Sequence, residues 1–65
     1  MHDNRHKLNG KRARFRITGM GKSAILLVNF KVEEARARAR QIAEETPGII
    51  LVYTQSKGME TLIDF

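Results

Sequence analysis

The chain of 65 residues has no cysteine and no tryptophan, a single proline, and only three phenylalanines and one tyrosine. Without thiols, neither a disulfide nor a thiolate metal site can staple the fold, and a soluble, cytoplasmic protein of a reducing compartment is the expectation. The longest uninterrupted apolar run, residues 24–28, is far too short to cross a bilayer and follows no secretory signal pattern, so no membrane role is expected. The scarcity of rings argues against base stacking as the main mode of any nucleic-acid contact, which favours duplex DNA over RNA. Mass is lacking too. A chain this short makes one small domain and excludes a substrate cleft between lobes. Apolar burial at ~25 cal/mol/Å² yields roughly 100 kcal/mol, about what ordering the chain costs, so an isolated monomer is marginal.

What is present is positive charge, and it is unevenly placed. The formal net charge is +5. Residues 1–23 hold Arg5, Lys7, Lys11, Arg12, Arg14, Arg16 and Lys22 against Asp3 alone, a balance of +6, while the remainder holds five cations against six carboxylates, a balance of −1. Like charges packed this closely repel one another unless a polyanion neutralises them or water solvates them as a tail. Residues 1–11 are polar and without period, so burial cannot offset their ordering entropy; they are expected to form a flexible basic arm, with a single domain over residues 12–65.

From Arg12 the pattern becomes strict alternation. Arg12, Arg14 and Arg16 share one parity and Ala13, Phe15 and Ile17 the other, the period of a half-buried strand. Gly19 and Gly21 mark a turn into the β-rich apolar run 23–30. Over residues 31–46 the period changes: Val32, Ala35, Ala39, Ile42 and Ala43 recur every three or four positions, an amphipathic helix with Asn29 as candidate cap, early Glu33 and Glu34, and Pro47 with Gly48 as stop. A second apolar run at 48–55, turn chemistry at 56–58 and a last alternating run at 59–65 complete the order β-β-α-β-β. The expected fold is α+β, a four-stranded antiparallel sheet with one helix packed on one face.

That layout leaves an apolar face over. Ile25 and Leu27 oppose Leu26 and Val28, and Ile49 and Leu51 oppose Ile50 and Val52, so the second and third strands are apolar on both parities. One helix covers one face. Self-association is the expected cover for the other, most simply a two-fold homodimer through the sheet face or an edge strand.

Among candidate chemistries the arginine row is the most specific. Alternate residues on a strand lie about 6.8 Å apart on one face, comparable to successive phosphates, and guanidinium groups grip phosphate oxygens with two donors. A two-stranded ribbon carrying such a row fits a major groove. The competing reading is cross-strand neutralisation by Glu60 and Asp64, if the last strand adjoins the first. Arg36, Arg38 and Arg40 are flanked by glutamates and read as a solvated ion-pair surface. Gly19 to Ser23 resembles a phosphate-binding loop only in part, since Arg16 occupies the required first glycine and a strand follows. His2 and His6 lack further ligands, so no metal is expected. Phe15, Phe30 and Phe65 are the expected core fillers, and Tyr53 an interface or edge residue. No nucleophile pairs with an imidazole, so neither catalysis, nor a cofactor, nor a small-molecule substrate is expected.

Two functions fit. The leading expectation is a non-enzymatic accessory or regulatory protein that binds nucleic acid, duplex DNA before RNA, through Arg5, Lys7, Lys11, Arg12, Arg14, Arg16 and Lys22. The alternative is a protein-interaction module, an inhibitor or adaptor, docking its apolar sheet face or an edge strand on an acidic partner.

Overall fold

Residues 10–19, 21 and 23–65 are described by the computed structural model. The elements are β1 (Arg12–Thr18), β2 (Ile25–Lys31), α1 (Val32–Glu45), β3 (Ile50–Thr54) and β4 (Glu60–Ile63). All pairings are antiparallel and the spatial order is β2-β1-β3-β4, so the expected α+β fold is the one formed.

Alternation on β1 works as the sequence implies: Phe15 and Ile17 point into the core at 1% and 0% exposure, while the arginines face away. Above them lies α1. Val32, Ala35 and Ala39 are its buried residues, and the short alanine side chains let the helix approach the sheet closely. Leu27, Ile49, Leu51 and Ile63 complete the core, with Ile42, Ala43, Phe30 and Tyr53 packed against it. Burying a Phe15, Ile17 or Leu51 side chain contributes about 1.5–3 kcal/mol each. The Phe15 and Tyr53 rings lie 5.6 Å apart and tilted, which places Tyr53 on the helix side of the sheet.

Three local expectations are corrected. Tyr53, expected at an interface or edge, packs against the core from the inner strand β3. Asn29 does not cap the helix. It is the extra residue of a β-bulge: Ala13 pairs with Phe30 but Phe15 pairs with Leu27, and Asn29 takes a left-handed φ of 66° to absorb the mismatch. The bulge flips the parity of β2, so that Leu27 points to the core before it and Phe30 after it. Helix α1 then follows β2 without a loop, with Lys31 at its cap position and the Glu34 carboxylate accepting the Lys31 backbone N–H at 2.9 Å. Phe65 is not a core filler either: at 37% exposure it lies beyond the end of β4, where no strand pairing holds it over the core.

Candidate nucleic-acid interface

The strand order decides what the arginine row becomes. From Arg14 onward β1 is hydrogen-bonded on both edges, to β2 and to β3, so Arg14 and Arg16 stand mid-sheet on the face opposite α1 instead of on a free two-stranded ribbon, while Arg12, at the strand start, pairs with β2 alone. The apolar residues that need cover share that face. Leu26 pairs with Arg16 on one side, Val52 pairs with it on the other, and Val52 pairs in turn with Leu62. Leu26 is 70% exposed, Leu62 68% and Val28 62%. Two features read separately in the sequence are therefore one surface, a cationic strand flanked by aliphatic strands.

The guanidinium groups do not stand as an even ladder. Arg12 donates from Nη1 to the Asn29 carbonyl at 3.0 Å and to Glu34 Oε1 at 2.9 Å, tying the start of β1 to the bulge and to the first turn of α1. Arg16 donates from Nη2 to Glu60 Oε1 at 2.6 Å. Glu60 belongs to β4 and β3 lies between, so the Arg16 stem crosses β3; Val52, its register partner there, is buried on the face that α1 does not cover. The Arg16 Nε–H is buried without an acceptor among the described residues. Arg14 has no hydrogen-bond or ion-pair partner among the described residues and is exposed at the centre of the row. Lys11, just before β1, is exposed as well. Arg5, Lys7 and Lys22, along with the rest of the basic arm up to residue 9, lie outside the described residues.

Neutralisation by Glu60 thus occurs, but diagonally across β3, because β4 adjoins β3 and not β1. Glu34 was not legible as a partner of Arg12, since nothing in the local pattern says that the helix start and the strand start meet. The expected helix ion pairs are not formed: Arg36, Arg38 and Arg40 reach no carboxylate among the described residues, and Glu34 is engaged by Arg12 instead. The Glu34 carboxyl is held below its ordinary value of 4.5, chiefly by the Lys31 backbone N–H and further by the charge and hydrogen bond of Arg12.

Shallow grooves lined by described residues border the sheet. One of about 440 Å³ runs between α1 and the β2 edge beside Arg12, Phe30 and Arg38; another, about 420 Å³, lies where the start of β3 meets the end of β4, beside Ile50, Leu62 and Phe65. No group of three or more His, Cys, Asp or Glu among the described residues is placed to hold a metal, and no helix among them is long and apolar enough to cross a membrane. The open face thus carries Arg14 without a counter-ion among the described residues and Arg16 held by Glu60, with exposed aliphatic side chains on both sides. Comparison with protein-family models, curated proteins and solved structures yields no match.

Proposed function

We propose that this protein is a small, non-enzymatic nucleic-acid-binding module that engages phosphates through the open sheet face and the cationic segment leading into it. The observation that carries the reading is Arg14, exposed mid-face without a counter-ion among the described residues, with Lys11 beside the start of the same strand. A phosphate backbone laid along β1 meets Arg14 directly and competes with Glu34 and Glu60 for Arg12 and Arg16. Both carboxylates are about half or more withdrawn from full exposure but water-accessible, so the exchange costs little. The dimer expected from the sequence then forms along an edge, β2 or β4, because face-to-face packing about a two-fold axis sets the two arginine rows against each other.

A second reading is favoured by one observation, the exposed Leu26, Val28 and Leu62: an acidic protein with an apolar docking surface matches the same face. Salt dependence separates the two. With about three phosphates neutralised, log affinity falls against log salt with a slope near −3 for a duplex and near −2 for a single strand. Fluorescence anisotropy of labelled oligonucleotides over a salt series, with Arg14→Ala and the Arg12/Arg14/Arg16→Ala triple variant, is the test. Loss of affinity in both variants supports the reading; absence of binding at about 10 µM protein and low salt removes it.

A further inference from the structure

Resting on the nucleic-acid reading just given, we infer that the ligand of the open face is an unpaired strand and not a duplex. The argument starts from what surrounds Arg14. On β2 stand Leu26 and Val28, on β3 Ile50, and on β4 Leu62, all exposed and all on the face that bears the arginines. A duplex offers a flat sheet only sugar and phosphate ridges. Pressing aliphatic groups against phosphates removes water from the charges and gives no apolar contact in return. An unpaired strand offers both chemistries at once, phosphates for the guanidinium groups and base faces for the aliphatic rows.

Topology points the same way. Reading a major groove requires a protruding helix or a two-stranded ribbon, and β1 protrudes from nothing because strands pair on both its edges. The described part of the face carries no aromatic ring, since Tyr53 and Phe15 pack on the helix side. The scarcity of rings, which in the sequence favours a duplex, is offset here by the Arg14 guanidinium plane and the leucine and valine beside it, which offer bases a sequence-tolerant and modest attraction. β1 is 7 residues long, about 24 Å of sheet, which suits roughly four nucleotides.

The test uses the whole chain and one labelled oligonucleotide of mixed sequence, presented as a single strand and annealed to its complement, with heparin as a polyanion that has no bases. Expected is at least about tenfold tighter binding of the single strand than of the duplex. A Leu26→Ser/Leu62→Ser variant, altered only at exposed positions, keeps its affinity for heparin and loses about fivefold or more for the single strand. Equal or tighter binding of the duplex overturns the inference while leaving the nucleic-acid reading intact, as does a Leu26/Leu62 variant with unchanged single-strand affinity. Failure of all three ligands to bind overturns the nucleic-acid reading itself. Sedimentation at the binding concentration covers the other occupant: a dimer that the leucine variant dissociates shows that a second copy covers the face, and overturns the inference.

Discussion

Replacing Gly19 by alanine tests how the end of β1 is held against the turn between α1 and β3. Gly19 adopts a φ of +95°, and a Cβ built on it lies 3.0 Å from the Gly48 carbonyl oxygen, 3.5 Å from the Ile49 Cα and 3.6 Å from the Ile50 N. All three neighbours are backbone, so none can rotate away. Gly58, in the turn between β3 and β4, provides the matched control: its φ is +84°, but a Cβ there meets nothing within 4 Å. Its N–H closes the turn onto the Gln55 carbonyl at 2.9 Å, a bond that alanine retains. Both substitutions incur the left-handed penalty of about 1–2 kcal/mol and both gain about 0.4–1 kcal/mol by restricting the unfolded chain. These terms cancel in the difference. What remains is the backbone clash at Gly19, about 1–3 kcal/mol by analogy with overpacking. In a domain this small, each kcal/mol lowers Tm by about 4–8 °C. Urea titration followed by circular dichroism, with slope and midpoint fitted separately, should find Gly19→Ala the less stable variant at unchanged slope. Variants within about 0.5 kcal/mol of each other refute the close approach on which this rests.

Further outcomes are expected elsewhere. Glu60→Gln removes the carboxylate that holds Arg16; it should raise single-strand affinity about threefold, steepen the salt slope by about one, and cost under about 1 kcal/mol of stability, as anisotropy and denaturation will show. Because the folded Glu34 carboxyl titrates below 4.5, its contribution is complete above that pH and lost as pH falls through the lower folded value; urea midpoints measured from about pH 6 down to about pH 3 should decline less steeply in Glu34→Gln. Ala39→Leu forces a larger side chain between helix and sheet at a fully buried position and should destabilise by about 1–3 kcal/mol or prevent folding, measured the same way. An edge-paired dimer should survive Leu26→Ser/Leu62→Ser in sedimentation, whereas a strict monomer at high concentration removes the dimer from the proposal.

Local periodicity was enough to read the elements and the faces of β1 and α1. The two-residue period of β1 separates Arg12, Arg14 and Arg16 from Phe15 and Ile17, and the three- and four-residue spacing of Val32, Ala35 and Ala39 marks the helix stripe, because side-chain direction within a strand or helix follows from the backbone alone. Element order, and with it the α+β class, follows from those periods and the intervening turn residues. Only the tertiary structure decided which strands are neighbours, that Arg12 meets Glu34 while Arg16 crosses β3 to Glu60, that Asn29 forms a bulge and not a cap, and that the arginines and the exposed leucines occupy one surface. Each of these depends on pairing between segments distant in the chain, where the relative energies of alternative registers set the outcome, and no local repeat encodes that comparison.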